Sequence, residues 1–473
     1  MLIKELTNII VSLLIPILIG YLPLRSLFRG KLPFNQPVSI ALSFGLGFGI
    51  LTQLLFFIII FVPPLSLLKV QGGIIIFCVI MITINKLQAK ESLPKLPKCW
   101  SLSKTDDDNR HNPLKKLMAL TVFAFITFEF YFCFYVSLML PMVMWDEVYA
   151  IAVKSKYFLY GGAIEGLSGF SGTASYPLHV ELAMTWVTLN LGHWNPQLAK
   201  IIFPAYLIGY LVIQYYFIAS YTNRWWALMA TGLLLSSNFL LVHATLAYRP
   251  IVFLYYNIIP ILLILAAHQH KNSRYLILAG LFAAIASFTK LEGIGHLLIY
   301  TALILFLLKK SGEVSVKKFA TQIFQISFLS VIIFLFFTAV KCLHHISPME
   351  GRLGVDKTID YWMRIKTISS SLSYNLFVSG NWNILWAILL ISFITGWKKL
   401  RASLPIQFIT LALGLYFLLY ILVGLFTSTF HGLFGAGAYA NLARTILHFF
   451  PLCIILIVLI NSNSWANERT SED

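Results

Sequence analysis

The chain has 473 residues, 59% of them hydrophobic and only 11% charged, and it carries a net charge of +17 from 35 Lys and Arg against 18 Asp and Glu. A soluble globular domain carries roughly 25% charge, so composition excludes an ordinary water-soluble fold, and the lack of strand-period alternation argues against a β-barrel. Nucleic-acid binding is the other usual reading of a basic chain, but here the basic residues fall in short clusters between apolar runs and form no stripe or motif.

Apolar runs long enough to cross a bilayer recur along the whole length. Backbone groups in lipid must pair within their own segment, so these runs are expected to be helices. Thirteen spans are predicted, at 6–24, 38–62, 72–85, 117–140, 200–219, 226–242, 251–267, 275–289, 294–308, 319–342, 384–397, 406–427 and 446–461. The fold class is therefore all-α, a polytopic helical membrane protein of about 13 spans. The first run has no small-residue cleavage site and is expected to stay as a span. The polar 86–116 loop, with its Asp106-Asp107-Asp108 run, reads as a solvated linker. It divides three N-terminal spans (1–116) from a transmembrane core (117–461), which a short tail (462–473) follows. Cys78, Cys99, Cys133, Cys342 and Cys453 form no metal-type pair and read as small apolar residues. No internal repeat is visible.

With the N-terminus outside, 22 of the 35 basic residues fall in cytoplasmic segments, as the positive-inside rule requires. The 86–116 loop and the Lys309–Lys318 hairpin carry most of the bias. The stretch 177–192, PLHVELAMTWVTLNLG, is apolar enough to pass for a span. Counting it would invert every later loop, and His179 and Glu181 sit badly in lipid. It is read instead as a helix in the outer interface. Three large extracytoplasmic segments follow, 141–199, 343–383 and 428–445. Glu129 is the acid deepest inside a span, with either a neighbouring helix or a cavity to face.

Five polar groups reach that outer side. Asp146 and Glu147 end the fourth span beside Trp145, as a solvated helix end or as a general base or metal ligand. Tyr176 and His179 flank Pro177, which suits a first helical turn; Tyr176 is also placed to touch a substrate. Arg249, before Pro250, either snorkels to headgroups or forks onto a phosphate. Lys290 and Glu292 lie in a Gly-containing hairpin and either pair with each other or meet substrate. Arg444 and His448 share a helix face at i, i+4. His448 is either a satisfied core histidine or a cavity-lining group.

Taken in order, Asp146-Glu147, Tyr176-Pro177-Leu178, Thr289-Lys290-Leu291-Glu292-Gly293, and Asn441-Leu442-Ala443-Arg444 with His448 and Pro451 resemble the C-type integral-membrane glycosyltransferases. The likeness is to the branch of protein O-mannosyltransferases, lipid A aminoarabinose transferases and rhizobial galacturonosyl transferases, and it covers about 117–461. The resemblance implies a plasma-membrane enzyme with its site on the extracytoplasmic side. A polyprenyl-phosphate sugar would be the donor, within membrane lipid, and a glycan, lipid or protein the acceptor. It implies Asp146 and Glu147 as catalytic acids, Arg444, Arg249 and Lys290 on the donor phosphate, and Tyr176, His179, Glu292 and His448 on substrate. It fixes no cofactor, and a divalent metal stays an open option. Two features depart from the family pattern. Arg249-Pro250 stands where relatives often carry a second acid before a Pro, which leaves thin ligation for a metal, and three spans precede the catalytic loop instead of one. The rival expectations are a transporter or flippase of lipid-linked sugars, with ionisable groups strung through the midplane and two similar halves, a surface-polysaccharide polymerase or ligase, and a membrane scaffold.

Overall fold

In the computed structural model each of the thirteen apolar runs is helical. The structure describes residues 2–88, 99–100, 113–170, 172–346, 360–435 and 438–462. The Asp106–Asp108 run and most of the tail lie outside the described residues. The helices are α1 (Leu2–Leu27), α2 (Gln36–Phe61), α3 (Leu67–Gln88), α4 (Pro113–Met139), α5 (Val153–Leu159), α6 (His179–Leu191), α7 (Pro196–Ala199), α8 (Ile202–Tyr221), α9 (Arg224–Leu235), α10 (Asn238–Thr245) and α11 (Arg249–Gln269). They continue as α12 (Arg274–Thr289), α13 (Glu292–Gly295), α14 (Leu297–Lys310), α15 (Val316–Leu343), α16 (Tyr361–Phe377), α17 (Leu385–Thr395), α18 (Trp397–Ala402), α19 (Leu404–Phe426), α20 (Thr429–Leu433), α21 (Tyr439–Leu447) and α22 (Phe450–Asn461). No β-strand occurs among the described residues.

Among the described residues, nine stretches are long and apolar enough to cross a membrane, or up to eleven if two bent pairs each count as one span. The pairs are α9 with α10, bent by 73°, and α21 with α22, bent by 53°. This is a multi-pass helical membrane architecture, but thirteen is too many by length. The runs at 275–289 and 384–397 form α12 and α17, of only 16 and 11 residues. Sixteen residues rise about 24 Å, short of the roughly 30 Å hydrocarbon core. The apolar character of α12 is instead satisfied by protein, since most of its side chains are buried.

Of the long candidate spans, α11 is the most enclosed, with every residue of its apolar window buried. α8, α12 and α14 pack around it. α1 and α2 cross so closely that a Cβ on Gly47 would lie 1.6 Å from the Pro16 carbonyl oxygen. Small residues permit this approach between membrane helices. These N-terminal helices are walls of the same body. α2 packs on α6 and α8, the Trp186 indole donates to the Ser12 carbonyl at 2.9 Å, and the Tyr256 hydroxyl donates to the Gly45 carbonyl at 2.8 Å.

The 140–178 segment between α4 and α6 alternates short helices with irregular stretches, whose carbonyls need partners from elsewhere. Three buried lysines supply them. Lys200 donates to Leu140 at 2.8 Å, Lys154 to Thr173 and Lys341 to Ser175. Lysines counted on the outer side by the charge rule thus act as internal clamps.

Candidate functional site

Asp146 opens a π-helix, Asp146–Ala152, that leads into α5. Neighbouring residues on such a turn point different ways, and here they separate the acidic pair. Asp146 faces a cavity of about 550 Å³. Glu147 turns inward and is fully buried. Its carboxylate accepts the backbone N–H of Ala247 at 2.8 Å, and those of Val143 and Met144 at 3.2 and 3.3 Å. Glu147, expected beside Asp146 at the site, therefore lies outside the cavity lining. Its acceptor capacity is used in tying the start of the π-helix to the Ala247–Arg249 corner.

The same cavity is lined by Tyr176, Tyr248, Arg249, Lys290, Glu292 and Arg444, with Ser428, Thr429, Asn441 and Thr445. Segments separated by up to 299 positions, from Asp146 to Thr445, thus meet at one place. Arg444, in α21, holds Asp146 through Nη1···Oδ2 at 2.5 Å. Its guanidinium lies 4.8 Å from the Tyr248 ring centroid. The Arg249 guanidinium lies 4.5 Å from the Tyr176 ring. Both are cation–π placements, so an aromatic ring fixes each arginine beside the cavity.

α6 explains how Arg249 is held. Against expectation, α6 does not lie along lipid. It is buried on all sides and packs on α1, α2 and α5. Two residues apart on a helix means about 200° around its axis, so His179 and Glu181 face opposite ways. Glu181 is completely buried and accepts from Arg249, with the Lys154 ammonium 3.7 Å away. Arg249 also reaches the Ala150 carbonyl at 3.4 Å. His179, expected on substrate, lies in the core. Thr52 Oγ1 is 2.7 Å from its Nδ1 and Tyr206 hydroxyl 3.1 Å from its Nε2.

Lys290 caps α12 and pairs with Glu292 at 3.1 Å. Burial pulls its ammonium below the usual lysine range; Glu292 opposes that shift, and Arg249 and Arg444 reinforce it. His448 does not line the cavity. Its Nε2 stands 3.4 Å behind the Lys290 Nζ. From there a buried chain runs through Tyr420 (3.5 Å) and His296 (3.0 Å) to Asn257 Oδ1 (2.7 Å), which also accepts from Tyr416 at 2.7 Å and Tyr300 at 3.0 Å.

No cluster of three His, Cys, Asp or Glu side chains able to hold a metal occurs among the described residues. Each carboxylate lining the cavity is already bonded to a cation, so the divalent-ion option finds no ligand set here. Sequence reading missed the Glu181–Lys154 support and the packing role of Tyr248. The available signal was Glu181 itself, an acid inside an apolar helix that requires a partner. Glu129, mid-span in α4, is half-buried and has no hydrogen-bond or ion-pair partner among the described residues. The chain matches no protein-family model, no characterised protein and no solved structure.

Proposed function

We propose that the chain is a membrane glycosyltransferase that moves a sugar from a polyprenyl-phosphate donor to a hydroxyl acceptor at the extracytoplasmic face of the plasma membrane. One observation carries this reading: an acid, Asp146, and three cations, Arg249, Lys290 and Arg444, converge from separate helix ends on one cavity. A phosphate-linked sugar calls for this combination, because a base must take the acceptor proton while cations stabilise the departing phosphate.

The proposed steps use these groups. The donor phosphate competes with Asp146 for the Arg444 guanidinium, a bidentate phosphate partner. Donor arrival thereby frees the carboxylate. Asp146 then takes the hydroxyl proton as the acceptor oxygen bonds to the anomeric carbon, and the bond from that carbon to the phosphate oxygen breaks. The phosphodiester leaves as a monoester with one more negative charge, which Arg444, Arg249 and Lys290 face. Attack opposite the leaving group inverts the anomeric centre. Glu181 holds Arg249 in place and Glu292 holds Lys290.

The test is transfer from a radiolabelled polyprenyl-phosphate sugar to candidate glycan, lipid and protein acceptors. Asp146→Asn should lower turnover by about 10²- to 10⁴-fold. The same variant leaves Arg444 without its carboxylate partner, so it should bind sugar-free polyprenyl phosphate at least as tightly as wild type. Full turnover in the variant removes Asp146 as the base.

A further inference from the structure

A second cavity, of about 250 Å³, lies at the far end of α11. α11 runs 21 residues from Arg249, in the first cavity, to the turn that holds this one. That is about 30 Å, one hydrocarbon thickness. Its inner wall is apolar, from Ile264, Leu276 and Leu307; its charged groups are Lys271, Lys318 and Glu313, beside His268 and the neutral polar Asn272, Ser273 and Gln322. Lys318 pairs with Glu313, and the Glu313 carboxyl is held below its usual range by Lys318 first and by Lys271 and His268 in smaller part. These groups therefore share one field, with two lysines against one carboxylate.

The backbone supplies a second, independent observation. α11 ends in a Schellman turn: the Asn272 N–H donates to Ala267 O at 3.1 Å and the Lys271 N–H to His268 O at 3.3 Å. Lys271 occupies the left-handed position of that turn, at φ 47°, where glycine is the unstrained choice. α14, ending at the same cavity, builds the same turn with Glu313 N–H on Leu308 O and Gly312 N–H on Lys309 O. There the left-handed position is a glycine, at φ 68°. A lysine kept at a strained position beside a cavity points to a use for its side chain. The Lys271 ammonium makes no hydrogen bond or ion pair to another described residue. Next to the cavity Ile277 and Leu305 are exposed, where acyl chains would lie.

We infer that this cavity binds the phosphate headgroup of an anionic phospholipid from the leaflet opposite the first cavity, with Lys271 and Lys318 on the phosphate and the chains along α12 and α14. The inference stands independently of the glycosyltransferase reading. Under the orientation set by loop charge, this is the cytoplasmic leaflet, where a basic pocket between helix ends meets anionic lipid.

The experiment titrates the purified full-length chain with phosphatidylglycerol, phosphatidylcholine or inorganic phosphate. It follows lipid occupancy by native mass spectrometry and the unfolding temperature in parallel. Wild type should prefer phosphatidylglycerol. Lys271→Gln with Lys318→Gln should weaken that binding about 25-fold, at roughly fivefold per lysine, and Glu313→Gln should strengthen it. Lys271→Gly is decisive because it relieves the turn. It should leave the unfolding temperature in phosphatidylcholine unlowered yet cost about fivefold in phosphatidylglycerol binding. Equal binding of the two lipids overturns the proposal, as does a Lys271→Gly chain that keeps the preference. Stabilisation by inorganic phosphate equal to that by phosphatidylglycerol would make this a soluble-anion site and overturn the lipid assignment.

Discussion

Replacing Glu181 by Gln tests the support of the cavity at its most buried charge. Glu181 and Lys154 are fully buried, and the Arg249 side chain is 8% exposed. One carboxylate therefore compensates two cations in low dielectric. Removing it takes away the carboxylate that both cations face, and breaking a buried pair from one side costs about 3–5 kcal/mol. Lys154→Met is the contrasting change. It leaves a matched Arg249–Glu181 pair and loses chiefly the hydrogen bond to the Thr173 carbonyl, worth about 1–3 kcal/mol. Glu181→Gln should therefore be the more destabilising variant. Combining the two should cost less than the sum, because the second change removes one of the two cations that lost Glu181 in the first. Reversible denaturant unfolding in micelles, followed by helical circular dichroism, measures all three. A Glu181→Gln chain within about 1 kcal/mol of wild type, or strict additivity, would refute the charge accounting.

Lys290 should impose a pH limit on donor binding. Its folded-state pKa is depressed, so the cation is present at low pH and lost as pH rises, before an ordinary lysine would lose it. Affinity for polyprenyl phosphate should decline along that alkaline limb, and Lys290→Arg, whose guanidinium stays charged, should carry binding to higher pH. A wild-type profile flat across the lysine range would remove Lys290 from the phosphate site. In the bundle, Gly47→Ala places a methyl 1.6 Å from a backbone oxygen of α1 and should cost about 1–3 kcal/mol as overpacking. Gly72→Ala, in α3, meets nothing within 4 Å and should leave stability unchanged or raised by up to about 1 kcal/mol, both read by thermal unfolding.

How far the sequence could be read depended on what each residue had to satisfy. Helices were legible because lipid leaves apolar runs no other backbone pairing. The count of spans was not, because α12 is as apolar as a lipid-facing helix while being buried in protein; hydropathy reports an apolar neighbour and does not identify it. The same ambiguity put α6 at the interface when it is interior. At the cavity, Asp146, Tyr176, Arg249, Lys290, Glu292 and Arg444 were all singled out because charge and aromatic groups at helix ends in a greasy chain are few. Glu147, His179 and His448 were singled out on the same grounds and lie elsewhere. Adjacency in sequence hides the rotation that sends Asp146 outward and Glu147 inward. His179 and His448 are histidines satisfied by hydroxyl and ammonium partners 127 and 158 positions away, which no local pattern encodes.

The buried polar chain bears on the choice between transfer and transport. A transporter of lipid-linked sugars needs polar groups that continue across the bilayer. The chain from Lys290 through His448, Tyr420 and His296 ends at Asn257, whose carbonyl oxygen accepts from three donors. Asn257 is eight residues into α11, about 12 Å from Arg249. Beyond it α11 presents only Ile, Leu, Ala and Pro from Ile258 to Ala267, all buried, and the next polar side chain is His268 at the second cavity. An apolar stretch of about 15 Å along the central helix therefore separates the two cavities. Polar groups that close on themselves within the Arg249 half of α11 serve to hold Lys290 in place, and an apolar stretch along α11 between the two cavities suits the one-sided reaction proposed above. Opening α11 at Leu262 and Leu263 with paired serines would test this. Under the one-sided reading, such a chain becomes less stable but moves no lipid-linked sugar between leaflets in vesicles. Movement by wild type in the same vesicles would reverse the argument.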